Sequence, residues 1–257
     1  MQLEAQGIAH RYGDLAVLDD VSFTVRAGET FALIGPSGCG KSTLLGILGG
    51  MLRPSAGTVA ASGAPPSGCL NPFTYVFQDF ALLPWRSVAG NVALALEHHR
   101  MRGAERDARI AEVLALCGLG DFSHALPKQL SGGMRQRVGI ARAIAVRPAV
   151  LLMDEPLSAL DAQTRDLLIE DLIAIWARER TTSLYVTHNL GEALRLADRV
   201  GVLSRRPGRL IRVLEIAIPR EQRAQPERAA EMARLHDALW ESIKREAQVA
   251  EREIQRV

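Results

Sequence analysis

Along the first third of the chain, apolar and polar residues trade places with a period of two. The stretches "LEAQGIAHRYG" and "AVLDDVSFTVRAGE" alternate as strands with one covered face, whereas "TFALIG", residues 30 to 35, is apolar throughout, as a strand buried on both sides must be. A helix is predicted from "KSTLLGILGGML", then short strands in "GTVAASG" and "FTYVFQ", separated by the turn-rich "GAPPSGCLNP". Between Pro84 and about Arg147 the period lengthens to that of a helix, in "SVAGNVALALEHHR", "ERDARIAEVLALCGLG" and "GGMRQRVGIARAIAV". Strands resume in "AVLLMDE", "SLYVTH", "RVGVLSR" and "LIRVLEIAI", with helical stretches at about 162 to 180 and 189 to 197.

Strands alternating with helices imply an α/β fold with a mostly parallel sheet covered on both faces. The opening strands form an antiparallel β edge to it, and residues 84 to 147 form an inserted α-helical lobe. After Pro219 the composition turns charged. There Ala229, Met232, Leu235, Leu239, Ile243, Ala247, Ala250 and Ile254 recur at three- and four-residue spacing, the stripe of an amphipathic helix. Packing of that stripe on the body is favoured over a dedicated interaction helix. The expected organisation is a body over residues 1–217 and a helical tail over 218–257.

Composition narrows the class. The chain has 257 residues, 47% of them hydrophobic, enough for a large core. Its 31 Lys and Arg against 29 Asp and Glu leave a formal charge of +2, without the concentrated basic field of a nucleic-acid binder, so no nucleic-acid partner is expected. Cys39, Cys69 and Cys117 are odd in number and widely spaced, which fits a reducing compartment better than a disulfide framework or a zinc site. Neither a secretory pattern nor a run of membrane-spanning length is found, so the expectation is a soluble chain that meets a membrane through a partner.

"GPSGCGKST", Gly35 to Thr43, satisfies G-x-x-x-x-G-K-[ST] between an apolar strand and a helix, the P-loop of an NTPase core. Gly35, Gly38 and Gly40 let the backbone curl so that N–H groups of the loop, those of Ser37 and Cys39 among them, surround phosphate oxygens, with Pro36, which has no N–H, part of the same loop. Lys41 then reaches the β- and γ-phosphates of ATP, the Ser42 hydroxyl ligates Mg²⁺, and Thr43 completes the set of loop residues that bind the nucleotide. Cys39 fills a free position of the motif and is read as a small loop residue without redox duty. The strand "AVLLMDEP" delivers Asp154 and Glu155 to the carboxyl edge of the sheet, where open α/β folds bind ligands. Asp154 suits the magnesium shell. Glu155 is placed to polarise an attacking water, through orientation and charge more than outright proton abstraction, because a glutamate is a weak base at neutral pH.

Taken in order, "GPSGCGKST", "LSGGMRQR", "LLMDEPLSALD" and "VTHN" closely resemble the nucleotide-binding subunit of an ABC transporter, over roughly residues 1 to 215. The resemblance implies that two cassettes pair head to tail, as a homodimer here, with Ser131, Gly132 and Gly133 of one copy capping the γ-phosphate held by the other. A serine hydroxyl, exposed glycine N–H groups and a helix N-terminus suit that task. The resemblance also places Tyr12 against adenine, Gln78 at the γ-phosphate and magnesium and beside the transmembrane partner, and His188 on the γ-phosphate. Asp161 would lie in the loop crossing the dimer interface. Two positions depart from the family's usual pattern: Asn189 follows His188 where an acidic residue is common, and Met134 follows the signature glycines where glutamine is.

The family implies ATP hydrolysis that powers transport, with permease subunits as partners and a solute-binding protein reached indirectly. The implied location is peripheral, on the cytoplasmic face of the inner or plasma membrane. With no spanning segment fused to the cassette, importers fit better than exporters. "DFALLPWRSVAGNV" resembles the nitrate, sulfonate and taurine branch, although Trp85 could equally pack the helical lobe. Three alternatives are weighed: a soluble ABC-type ATPase of DNA repair or translation, a small-molecule kinase, and an inactive nucleotide binder. The first usually carries a second cassette or a long coiled-coil insertion, and this chain shows neither; the signature argues against the second, and the filled catalytic positions disfavour the third.

Overall fold

The computed structural model describes residues 1–179 and 181–254, with no side chain described at 247 or 249–254. The chain divides into two compact units, one formed by Met1–Gly63 with the chain from Thr182 onward, the other by Ala64–Thr181. The second is wider than the helical stretch expected at 84 to 147, because it takes in two strands as well as the helices.

In the first unit, β1 (Gln2–Tyr12), β2 (Leu15–Val25) and β4 (Ala56–Ser62) form a three-stranded antiparallel sheet in the order β2-β1-β4. The alternation in the sequence is honoured on β1: Leu3, Ala5, Ile8 and His10 are buried and their neighbours are less so. β3 (Thr30–Ile34) is buried at all five positions. It lies between β7 (Thr182–Val186) and β8 (Arg199–Leu203), parallel to both, and β9 (Leu210–Glu215) adds an antiparallel edge to β8. The apolar run expected to extend this last strand to Ile218 leaves it after Glu215, because Ile216 and Ile218 turn into the core.

That core lies between the sheet and the helices α6 (Leu190–Leu196) and α7 (Ala229–Ile254). Leu239 of α7 is fully buried among Ala193, Leu194, Val200 and Val202, with Met232, Leu235 and Ile243 packed around it. The tail stripe therefore covers the body, as the packing reading expects; its Ala247, Ala250 and Ile254 lie outside the residues whose side chains are described. Arg223, 5% exposed, secures the approach to α7 by donating to the carbonyls of Leu194 and Ala197 at the end of α6. Leu239→Ala is expected to destabilise the chain by about 2–5 kcal/mol, read as a lower midpoint in urea unfolding. A midpoint equal to that of the unsubstituted chain would show that the stripe holds nothing.

In the second unit, β5 (Phe73–Val76) and β6 (Val150–Asp154) pair in parallel, accompanied by α2 (Val88–Leu94), α3 (Gly103–Leu116), α4 (Gly132–Ala145) and α5 (Ala162–Glu179). Ser87 caps α2 by accepting the Gly90 N–H. The helix is shorter than its pattern suggests. Ala95, Leu96 and Glu97 donate to carbonyls three residues back, and this tighter winding ends it before the charged "EHHR". Arg109, 4% exposed, donates to the Ile144 carbonyl at 2.6 Å and the Ala145 carbonyl at 3.1 Å, closing the end of α4. Trp85 is 73% exposed and Phe77 53%, so Trp85 does not serve as packing for the helices.

Candidate functional site

In the first unit, β3 hands the chain to Gly35 at the carboxyl edge of the sheet, and α1 (Lys41–Leu48) starts six residues later. Gly40 caps that helix with a left-handed backbone (φ 104°), a conformation that glycine adopts without steric cost. The Lys41 side chain curls into the loop, 6% exposed, and its Nζ donates to the carbonyls of Gly35 at 2.9 Å and Pro36 at 3.0 Å. Ser37, Gly38 and Ser42 are exposed and Thr43 is half-buried. Cys39 is buried, which pushes its thiol pKa up despite Lys41 nearby, as befits a filler without reactivity.

The pairing of β3 with β7 sets Leu33 beside Val186, and the Thr187 N–H donates to the Leu33 carbonyl at 3.2 Å. His188 thus emerges, exposed, at the same sheet edge as the loop and one strand away. Its turn is fixed by Asn189, which caps α6 by accepting the Glu192 N–H at 3.2 Å. Asparagine at this departure from the family pattern therefore does a capping task. Glu192 is buried and accepts from the hydroxyls of Tyr185 at 2.9 Å and Thr187 at 2.8 Å. Tyr12 ends β1 with its ring 51% exposed and edge-on to His10, 4.7 Å between centroids.

The second unit repeats the device. β5 and β6 pair with Val76 beside Met153, so Gln78 and Glu155 leave the sheet at a common edge. Gln78 Nε2 donates to Ser158 Oγ at 3.2 Å, and Ser158 Oγ donates to the Glu155 carbonyl at 3.0 Å, tying one loop to the other. Glu155 has a left-handed backbone (φ 45°), which costs a residue with a side chain about 1–2 kcal/mol. Asp154 is half-buried and accepts from the Tyr75 hydroxyl at 3.3 Å. Burial, and then the Asp154 charge, push the Tyr75 phenol well above its ordinary pKa, so it stays a donor.

Ser131 caps α4, its Oγ accepting the Met134 N–H at 3.3 Å; Met134 thus contributes its backbone to this turn. Ser131 and Gly132 are exposed, and Gly133 is buried against the Thr164 methyl. Gln136, buried on α4, donates to the Pro156 carbonyl at 2.5 Å and holds the helix start to the carboxylate turn. A cavity of about 640 Å³ is lined by Gln78, Asp154 and Gly132, with Gln136, Phe77 and Leu160 around them. Asp161 caps α5 by accepting the Thr164 N–H at 3.0 Å, which holds its carboxyl below the usual range.

Sequence alone does not single out Ser158, Gln136 and Glu192. Ser158, three residues beyond Glu155, has the spacing of a turn serine, and Asn189 followed three residues on by Glu192 has that of a helix cap. Gln136 carries no such signal.

A sequence profile described as "ABC transporter" matches residues 18–158. A Brucella abortus protein named as an ATP-binding protein is 39% identical over 94% of this chain and 93% of its own length. The nitrate import ATP-binding protein of Synechococcus elongatus is 44% identical over 82% of this chain and 79% of its own. The spermidine/putrescine import ATP-binding protein of Pseudomonas aeruginosa is also 44% identical, over 79% of this chain and 56% of its own. The solved dimeric structure of a bacterial ABC transporter cassette superimposes with a TM-score of 0.72 at 31% identity, covering 84% of this chain and 100% of that one. The same cassette in a post-hydrolysis state bound to ADP and Pi gives 0.71 at 30%.

Proposed function

The chain belongs to the ABC transporter family, and we propose that it powers an importer, taking up a small solute such as nitrate, a sulfonate or taurine through a separate permease. It is an ATP-binding subunit whose hydrolysis of ATP is coupled to transport. The importer reading draws on the nitrate and spermidine/putrescine import relatives, and the branch on "LLPW" at residues 82–85. The observation that carries the site assignment is Lys41, 6% exposed and curled into the loop after β3, where its Nζ donates to the Gly35 and Pro36 carbonyls.

The residues divide the work by chemistry. Loop N–H groups and the start of α1 bind the triphosphate, with Lys41 exchanging the Gly35 and Pro36 carbonyls for the β- and γ-phosphates. Tyr12 offers an exposed ring for adenine stacking. Glu155 orients the attacking water, and His188 donates to the γ-phosphate. Ser131, Gly132 and Gly133 of a second copy close the site from the other side. The hydroxyl of Ser42, the amide of Gln78 and the carboxylate of Asp154 are hard oxygen donors that suit Mg²⁺. When bound there, Mg²⁺ would supply charge neutralisation to the phosphates as a Lewis acid.

No helix among the described residues is long and apolar enough to cross a membrane. The proposed location is peripheral, on the cytoplasmic face of the inner or plasma membrane, with Phe77 and Trp85 as exposed apolar contacts for the permease. The pairing is tested with Ser37→Cys and Ser131→Cys in one chain. A short bifunctional thiol reagent should join two copies when ATP is present and hydrolysis is blocked, and leave them separate without nucleotide. Equal yield with and without ATP would refute a triphosphate bridging the copies. Pull-down from membranes should bring a hydrophobic permease; ribosomes or nucleic acid in its place would overturn the transport assignment.

A further inference from the structure

Within the first unit, the turn between β8 and β9 lies directly on the phosphate loop. A Cβ added at Gly208 would stand 2.3 Å from the Cys39 carbonyl oxygen, so only glycine permits this approach. Two residues earlier, Arg206 lays its guanidinium on the same loop, donating to the Gly38 carbonyl from Nε at 3.1 Å and from Nη2 at 2.9 Å. A loop whose N–H groups converge on an anion must turn carbonyls outward, and those carbonyls need donors of their own. Lys41 serves Gly35 and Pro36, and Arg206 serves Gly38.

The turn is itself anchored. Ser204 Oγ accepts from the Arg209 N–H and donates to the carbonyls of Arg205 and Pro207. The Gly208 N–H donates to the Val17 carbonyl at 2.8 Å, the Asp19 N–H donates to the Gly208 carbonyl at 3.0 Å, and Arg209 pairs with Asp19. From the other side, Glu246 of α7 accepts the Arg205 N–H at 2.9 Å and pairs with the Arg205 guanidinium at 3.7 Å. A continuous set of bonds thus runs from the C-terminal helix through the turn to the phosphate loop.

We propose that Arg206 is a positioning residue for ATP, holding the Gly38 peptide so that the loop's N–H groups face the phosphates, and that α7 steadies it through Glu246. The proposal rests on reading Gly35–Thr43 as the loop that holds ATP. An arginine fork fixes a carbonyl in a plane, which a lysine's single ammonium does not, and its positive charge adds to the field at the loop.

The test is the Kd for ATP, with KM, kcat and the melting temperature without nucleotide measured alongside. Arg206→Met should raise Kd and KM about tenfold, the worth of one charge-assisted bond, while kcat at saturating ATP and the nucleotide-free melting temperature hold. Arg206→Lys should recover part of the loss, and Glu246→Ala should weaken binding about threefold through a lengthened path. ATP affinity in Arg206→Met equal to that of the unsubstituted chain, while Lys41→Met loses binding, would overturn the proposal alone. Full affinity in Lys41→Met would overturn the phosphate-loop reading beneath it. Should Arg206→Met fail to fold, unchanged affinity in both Arg206→Lys and Glu246→Ala decides against the proposal.

Discussion

Glu155→Gln is expected to cut the rate of ATP hydrolysis by about two to four orders of magnitude, with ATP still bound and two copies held together by it. The substitution keeps the size of the side chain and one carbonyl oxygen, and removes the charge proposed to orient water toward the γ-phosphate. It spares the local scaffold. The bond from Ser158 goes to the Glu155 main-chain carbonyl, so the link to Gln78 survives. The left-handed backbone costs glutamine about as much as glutamate, 1–2 kcal/mol, leaving stability unchanged. Phosphate release under single-turnover conditions, with gel filtration in ATP, reads both effects. Turnover within about threefold of the unsubstituted chain would remove Glu155 from the chemistry.

The position of Glu155 also marks what the sequence does and does not reveal. Strand β6 is legible because Val150 to Met153 are all apolar, and a strand covered on both faces leaves no other pattern. The turn that follows is not legible in its conformation: "DEP" does not announce a left-handed glutamate, since the surrounding packing imposes it. Likewise the start of α2 follows from Ser87, a local signal, whereas its early end is a winding change with no composition mark. Trp85 is ambiguous in sequence for the same reason. An aromatic residue looks alike in sequence whether it fills a core or waits for a partner, and its 73% exposure decides the matter.

Within the site, legibility follows distance along the chain. The loop glycines and Lys41 stand out because backbone geometry and anion binding demand those types at those spacings within nine residues. Ser131 and Asn189 are readable as caps, each bonding three residues ahead. The supports are not readable. Gln136 reaches Pro156 twenty residues away, and Arg206 meets Gly38 across a separation of 168. Such partners are chosen by the folded sheet, and an arginine in a surface turn looks like a solvated charge until its carbonyl is found.

Lys41→Met is expected to weaken ATP binding by about a hundredfold or more while leaving the nucleotide-free protein nearly as stable as before. The expected loss follows from the two charge-assisted bonds to phosphate proposed for Lys41, at about 1.5 kcal/mol or more each, and about 1.4 kcal/mol per tenfold in Kd. The stability expectation comes from the side chain's setting. Lys41 is 6% exposed, and its two bonds to loop carbonyls offset the penalty of taking a charge out of water. Methionine fills the same space, forfeits those bonds and carries no such penalty, so the two changes nearly cancel. At an ATP concentration one hundred times the original Kd, binding stabilises the native state by about 2.7 kcal/mol, or about 5–10 °C for a chain of this size. In Lys41→Met at that concentration the gain shrinks to about 0.4 kcal/mol. Thermal melts with and without ATP separate the two contributions, and a variant that keeps the full ATP-induced rise would overturn the reading of Gly35–Thr43 as the loop that holds ATP.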